Sequence, residues 1–341
     1  MCRTWFIYTL FVISVMLSFS CSRDHDPVTL PDVPLKIGTY NIERPSETNK
    51  KHVGYWPNRK ESVAALLSKA GFDIIGTQEN SREMLADMVA ALPQYKWIGS
   101  FRKANPSVNA ILYRHERFAL LDKGHFYYSP TPGVDFSYDP DDTDKKDLNC
   151  IWGKFEDRET GVVFFVFNSH FHAFNYAGEK GAVRDTLRCR DARILKKKVA
   201  SIAGDVPAFC TGDFNCGEAW YDNATGKLKH ESRPGYIELI KGNELLDTRR
   251  LARKKINDRE ASYTGFLETG PSAHDMKIDH IFIGARAAER VEVVRYEVIT
   301  DSFEMSHHGE TTPEGIEPGN SFRANCSDHR PVSATILLKP E

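Results

Sequence analysis

The residues of this chain that could do chemistry stand where apolar segments end. Val206-Pro-Ala-Phe-Cys-Thr-Gly-Asp-Phe-Asn215 is an apolar run that finishes in two polar side chains. Side chains alternate along an extended chain, so Asp213 and Asn215 share one side while Phe214 turns back toward the core. Gly212 removes the β-carbon beside them and leaves room for a ligand atom against the backbone. A carboxylate next to a carboxamide can hold and deprotonate a water while donating a hydrogen bond to an anion. Taken alone, Gly-Asp-x-Asn is more simply a loop Asp closing an Asx-turn. The catalytic reading gains weight because other strand ends finish the same way: Thr39-Tyr-Asn41, Thr77-Gln-Glu79, Asn168-Ser-His170, Lys277-Ile-Asp279 and Ser327-Asp-His329.

The segments that must position these groups alternate between strand and helix signals. Leu35 to Asn41 reads as a strand with Ile37, Thr39 and Asn41 on one face. A helix follows, capped by Asn58 with Glu61 three residues on, striped by Val63, Leu66 and Leu67, and stopped by Gly71. Phe72 to Glu79 is a buried strand, and Ser81 to Leu92 an amphipathic helix closed by Pro93. Strands recur at Ala110–Tyr113 and Phe118–Gly124. Ser129 to Lys146 has five aspartates and no periodicity, so it reads as a surface loop. Ile151–Glu156 and Val162–His172 form a hairpin turned at Arg158–Gly161. On its second strand Val162, Phe164 and Val166 share a face with Asn168, His170 and His172, a face that begins as core and ends as site. Arg184 to Ala203 is a basic helix with an apolar stripe at Leu187, Ile194, Leu195, Val199 and Ile202. Pro234–Lys241 is a short helix, Met276–Ile283 and Val291–Thr300 are strands, Ser306–Asn320 is a loop, and Val332–Leu338 is the last strand. No fixed-period repeat and no internal linker is visible, which gives one domain over residues 35–341.

Composition is that of a globular protein: 341 residues, 41% hydrophobic and 27% charged. A formal net charge of −2 argues against a chain that grips a nucleic-acid backbone along a broad basic face. Residues 1–20 combine Arg3, an apolar run from Trp5 to Phe19 and Ser20-Cys21-Ser22. The run is too short for a membrane span and reads as a secretory leader. A small residue before Cys resembles a bacterial lipoprotein cleavage site, with Cys21 lipidated, although Ser18 stands where that pattern usually has Leu. Residues 21–34 then form a polar tether. A plain cleaved signal is the simpler alternative. Of the seven cysteines, those outside the leader and Cys21 show no Cys-x-x-Cys spacing, which argues against a disulfide scaffold or zinc ribbon. Cys210 reads as core. One bridge, Cys216 to Cys326, is open.

The set of strand ends, in this order, resembles the endonuclease/exonuclease/phosphatase superfamily, which includes deoxyribonuclease I and the inositol polyphosphate 5-phosphatases. Gly-Asp-Phe-Asn and Ser-Asp-His carry most of the likeness, which spans about Leu35 to Leu338. The resemblance implies an α+β, four-layer α/β/β/α sandwich of two packed mixed β-sheets flanked by helices. A doubly wound parallel sheet fits the periodicity nearly as well, but the strand-rich C-terminal third favours packed sheets. The resemblance also implies roles. Glu79 is the main ligand of a divalent ion with Asn41 beside it, and Asp328 lies at the metal's second side; oxygen ligands suit Mg²⁺ or Mn²⁺. Asp213 orients and deprotonates the attacking water, Asn215 and His170 contact the phosphate, and Asp279 holds His329, whose cationic form it favours.

The implied reaction is hydrolysis of a phosphate ester by an exported, lipid-anchored monomer held to the membrane at Cys21. A small-molecule or lipid-head-group substrate is favoured over a polymer. A secreted nuclease acting on DNA or RNA is the enzymatic alternative, and a catalytically silent binding lipoprotein the alternative of another class. Three departures or ambiguities remain. His172 stands where many bacterial relatives have Asp, and reads as a ligand, a substrate contact or a surface histidine. His280 stands where an aromatic residue often follows. Trp56-Pro-Asn-Arg59 resembles a stretch of bacterial members, with Arg59 read as a first-turn helix residue. Arg184, Arg188, Arg190 and Arg193 are expected to form a solvated helix face rather than an anion site.

Overall fold

The computed structural model describes residues 33–44, 50–101, 108–174, 178–221, 226–231, 233–267 and 276–340. The leader, Cys21 and nearly all of the tether lie outside the described residues. Up to residue 213 the chain contributes β1 (Leu35–Asn41), α1 (Trp56–Ala70), β2 (Ile74–Asn80), α2 (Arg82–Ala91), β3 (Tyr95–Phe101), β4 (Val108–Arg114), β5 (Phe118–Tyr127), β6 (Asn149–Asp157), β7 (Val163–His170), α3 (Gly178–Ala203) and β8 (Ala208–Asp213). One seven-stranded sheet runs Lys254–Ile256, Val291–Val298, Val332–Leu338, β1, β2, β4, β3. A six-stranded sheet runs Leu245–Asp247, Asp279–Gly284, β8, β7, β6, β5. Parallel and antiparallel pairs coexist in both, so the sheets are mixed.

Alternation in the strands builds the layers. Ile37, Ile74 and Ile111 from the first sheet meet Phe164, Val166, Phe209 and Ile281 from the second in a core between the sheets. The opposite faces are covered by helices. Val63, Leu66, Leu67, Met84 and Met88 from α1 and α2 pack on Tyr40, Ile75 and Leu112. Leu195 and Val199 from α3, with Tyr236 and Leu239 from the helix Pro234–Ile240, pack on Phe165, Phe167, Cys210 and Phe282. This is the four-layer sandwich expected, and each sheet is apolar on both faces because each is covered twice.

Toward one end of the interlayer space apolar contacts give way to a polar stack. Gln78 Nε2 donates to Thr39 Oγ1 at 3.1 Å and to Asn168 Oδ1 at 2.7 Å. Asn168 Nδ2 donates to the Thr77 and Ala110 carbonyls of the facing sheet, both at 2.9 Å. Gly76 makes the approach possible, since a β-carbon there would run into Thr211 Oγ1 and Asn168 Oδ1. Gly76→Ala is therefore expected to cost about 1–3 kcal/mol by overpacking. Urea denaturation checks this, and an unmoved midpoint would mean that the sheets can part locally at no cost.

Several local expectations are corrected. Helix α1 begins at Trp56 with Pro57 in its first turn, and Tyr55 is its N-cap without a side-chain cap. Asn58 is instead a buried clamp: its Nδ2 donates to the Val53 carbonyl, and its Oδ1 accepts from the His308 N–H at 2.7 Å. Ser81 does cap α2, accepting from the Met84 N–H, and Gly71 ends α1 with φ 62. Strand β3, which follows Pro93, carries no reading in the sequence because Tyr-Lys-Trp-Ile-Gly-Ser-Phe is short and ends in the polar stretch 102–107. Cys216 and Cys326 are free and buried, in clusters on opposite outer faces, so no bridge joins them.

Candidate active site

Three of the expected site residues occupy adjacent rungs of the second sheet. β7 and β8 are parallel with His170 opposite Asp213, and Asp279–Gly284 runs antiparallel to β8 with Asp279 also opposite Asp213. Residues paired across strands project to the same face, here the one that carries Phe209 into the interlayer core. Asn41, ending β1 on the facing sheet, reaches across and donates Nδ2 to Asp213 Oδ2 at 3.0 Å and Glu79 Oε1 at 3.4 Å.

Glu79 reaches this pocket through a break in its strand. Between Thr77 and Asn80 the pairing of β2 with β4 slips, three steps against two, which is a β-bulge. Unbroken alternation would send Glu79 with Ile75 toward the helices. Instead Glu79 adopts φ 61, and its carboxylate lies 3.8 Å from His170 Nε2. Glu43 (φ 51) and Asn215 (φ 50) are also left-handed. Such backbone costs of order 1–3 kcal/mol per residue and persists where surroundings over-determine it. The Asn215 turn is an Asx-turn, its N–H donating to Asp213 Oδ1 at 2.9 Å. The plain loop reading of Gly-Asp-x-Asn and its catalytic reading thus describe one geometry. Asn215 also commits one amide proton to the Phe171 carbonyl at 3.0 Å.

His329 completes the pocket. Its Nδ1 donates to Asp279 Oδ2 at 2.9 Å, and its Nε2 lies 3.8 Å from Asp213 Oδ2 and 3.9 Å from Asp328 Oδ1. Burial works against a charged ring, but Asp279 and Asp328 outweigh it and hold the imidazole well above its ordinary value. His170 Nε2 approaches Asp213 Oδ2 from the other flank at 3.5 Å. Burial raises Asp213 to about 7, against the opposing pull of His329. All eight expected residues, Asn41, Glu79, His170, Asp213, Asn215, Asp279, Asp328 and His329, belong to this one neighbourhood.

The donor set fits a hard divalent cation. Glu43, Glu79, Asp328 and Asn41 offer oxygens at one rim of a cavity of about 530 Å³. Glu43 is raised to about 8 by burial and by the Asp328 charge, and Asp328 is raised by burial despite His329. Tyr263, on the same cavity, is pushed up to about 12 by burial and by the charges of Asp328 and Glu43. So much negative potential in a buried pocket calls for a positive ion. Asp213, Asp279 and His329 also bring one possible ligand atom each within 4.8 Å of one another. There the His329–Asp279 hydrogen bond already consumes one ligand atom of each, so the carboxylate rim is the better cation site.

These shifts set a pH dependence of stability. Glu43, Asp213, Asp328, His329 and His172 all have folded-state values above their ordinary ones. Each such group stabilises the fold below its unfolded value and loses that contribution as pH rises through its folded value. All five act with one sign. In chelator the melting temperature should fall between about pH 4 and pH 9, and a saturating divalent cation should recover the part lost through the carboxylates. A flat profile over that window would show that the carboxylates are not in mutual strain.

Sequence reasoning missed several residues here. Glu43 follows Asn41 on the alternating face, a signal that was available. Tyr263, whose ring meets His329 edge-on at 4.9 Å, comes from an irregular segment with no pattern. Arg59 stands in the first turn of α1, as read, but is fully buried there: Nε donates to the Gly54 carbonyl, and the guanidinium also binds the Cys326 carbonyl at 3.0 Å and those of Ile42 and Glu43. It thereby ties the loops that carry Glu43 and Asp328. His172 is neither ligand nor surface residue, being fully buried with Nδ1 2.7 Å from Asp191 Oδ2. Arg184 and Arg188 are buried too, while Arg190 and Arg193 face outward in ion pairs with Asp139, Asp141 and Glu238.

Two facing mixed sheets whose strand ends converge on an Asp-His pair beside a carboxylate rim define the deoxyribonuclease I-like class of hydrolases. The sequence model described as the Endonuclease/Exonuclease/phosphatase family matches residues 38–329, and the chain belongs to that family. A solved family protein from Bacteroides thetaiotaomicron is similar at 26% identity and TM-score 0.72, over 90% of this chain and 99% of that one. A mannosyl-6-phosphatase from the same organism gives 26% identity and TM-score 0.68, over 89% and 100%. D. rerio TDP2 complexed with single strand DNA product shares the fold at 14% identity and TM-score 0.57, over 89% and 99%. A comparison with curated proteins gave no match.

Proposed function

We propose that this chain is an exported, Mg²⁺- or Mn²⁺-dependent phosphoesterase whose substrates are phosphate esters of small hydroxyl-bearing molecules, sugar phosphates foremost. The observation that carries it is the setting of Asp213: Asn41, His170 and His329 all lie within 3.8 Å of one carboxylate oxygen. A carboxylate so flanked holds a water by one oxygen while its neighbours face the group under attack. Asn41 and Asn215 fix both Asp213 oxygens, which sets the direction in which a proton is taken. His329, kept cationic by Asp279, faces the charge that develops on the phosphoryl oxygens or returns a proton to the leaving oxygen; His170 does the same from the opposite flank. When bound at Glu79, Asn41, Glu43 and Asp328, a divalent ion supplies Lewis-acid polarisation of a phosphoryl oxygen.

The substrate class is supported by the likeness to a mannosyl-6-phosphatase and by the cavity's mixed lining. Arg44 and Lys146 share the lining with Asp144 and Asp147, and Phe174 packs against Tyr263. Acidic groups on the lining oppose a polyanion, whereas they accept hydrogen bonds from hydroxyls. The leader and Cys21 support export with a lipid anchor, and the chain acts as a monomer. No helix among the described residues is long and apolar enough to cross a membrane.

The test is hydrolysis of mannose 6-phosphate, bis(p-nitrophenyl) phosphate and plasmid DNA with Mg²⁺ and with chelator. Cation-dependent release of phosphate from the sugar ester is expected to exceed DNA cleavage at equal enzyme. Efficient plasmid cleavage would replace the reading by a secreted nuclease, and no turnover of any ester would leave a binding protein.

A further inference from the structure

Residues 129–146, expected to be a plain surface loop, are anchored by a buried charge hub. Asp142 is 1% exposed, accepts two backbone N–H groups and faces two basic side chains. Its Oδ1 takes the Asp144 N–H at 3.0 Å and Arg184 at 2.8 Å; its Oδ2 takes the Lys146 N–H at 2.9 Å and faces His172 Nε2 at 3.5 Å. Arg184 also pairs with Asp144 at 2.5 Å. From the same helix, Asp191 holds His172 Nδ1 at 2.7 Å, and Arg188 donates to the His172 and Ala173 carbonyls at 3.0 and 2.8 Å. One face of α3 thus fixes two segments at once, 142–146 and 172–173.

Both segments lead straight into the cavity. The first delivers Asp144, Lys146 and Asp147, the second Phe174, whose ring meets Tyr263 edge-on at 5.6 Å. Buried ion networks are poor sources of stability, because desolvation offsets most of their Coulomb gain, and in some proteins they serve to fix geometry instead. A network of this kind beneath a cavity wall has positioning as its evident use. The wall itself is unlike the catalytic end: carboxylates that accept from hydroxyls, a lysine that donates to oxygens, and aromatic faces for the apolar side of a ring. A cavity of about 530 Å³ holds a monosaccharide phosphate.

We propose that Asp144, Lys146 and Asp147 form the wall that reads the hydroxyl-bearing leaving group, and that the Asp142–His172–Arg184 hub is its positioning device. This rests on the phosphoesterase reading above and adds the residues that select the substrate. A polyol phosphate would gain hydrogen bonds at this wall that a flat aryl phosphate cannot make, so discrimination between the two belongs to these side chains.

Steady-state kinetics with mannose 6-phosphate and p-nitrophenyl phosphate test it. Asp144→Ala and Asp147→Asn should each lower the ratio of kcat/KM, sugar ester over aryl ester, at least tenfold. Asp142→Asn should raise KM for the sugar ester by a larger factor than it lowers kcat, which a general loss of folding would not do. If Asp142→Asn fails to fold, Asp144→Ala at its partly exposed position still decides. A ratio within twofold of wild type in both wall variants overturns the proposal. Thermal shift with mannose 6-phosphate in chelator separates the two readings. A shift that the wall variants abolish, without hydrolysis, retains the wall and removes the phosphoesterase. Hydrolysis with wall-independent ratios does the reverse.

Discussion

Asp213→Asn is expected to lower kcat by about 10²–10⁴-fold, the range that a positioned general base contributes. The variant is close to isosteric, so the loss would report chemistry rather than packing. Asp213 accepts from Asn41 Nδ2 and from the Asn215 N–H, one at each oxygen. An amide in its place keeps one acceptor and sets its N–H₂ against one of these donors, which costs about 1–3 kcal/mol for an unsatisfied buried group. It also removes a charge that the pocket resists, since burial has raised the carboxyl to about 7. These effects oppose each other, so stability should change far less than rate. The pH profile follows from the same group. Activity should rise with pH through the Asp213 value, with a bound cation moving that limb to lower pH, and should fall again only where His329 loses its proton. Single-turnover rates beside thermal melts decide this. A variant retaining more than a fifth of wild-type kcat would remove Asp213 from the role of base.

What could be read from the sequence was set by periodicity. Asn41, His170, Asp213 and Asp279 end or begin regular strands, so alternation gives their side and register pairs them. The interlayer core was legible for the same reason: Ile37 and Phe164 each sit on a face that the pattern marks as buried. Glu79 is the instructive exception. Alternation alone places it with Ile75, and only the bulge and the left-handed backbone turn it into the site. The family resemblance names it for the site, whereas its position follows from strain that no propensity records. Arg184, Arg188 and His172 were misplaced because charge on a helix or at a strand end ordinarily means solvent. Each is buried by partners distant in sequence, and no pairing of that kind is visible before the chain is folded. Tyr263 lay beyond reach on any pattern, as it belongs to no regular element of useful length.

The second large effect concerns the carboxylate rim, where two acids that look alike should respond in opposite ways. Burial tends to raise Glu79, but His170 and His329 overcome it and hold the carboxyl below its ordinary value. Its charge therefore stabilises the cation-free fold at neutral pH, a contribution lost only as pH falls through the folded value. Glu43 is raised to about 8, so at neutral pH its ionised form works against the fold. Glu79→Gln should then destabilise the protein in chelator, and Glu43→Gln should stabilise it. Both should weaken cation binding, Glu79→Gln by at least the roughly 10–100-fold that loss of a supporting residue costs a metal site. At a cation concentration near 100 Kd the wild type gains about 2.7 kcal/mol; a variant weakened a hundredfold sits near its own Kd and gains about 0.4 kcal/mol. Melts with and without Mg²⁺ read both quantities, and activity at the same concentration should collapse in parallel for Glu79→Gln. Equal and same-signed shifts in chelator for the two variants would mean that the histidines do not single out Glu79. The cation would then be held by the rim as a whole rather than centred on that residue.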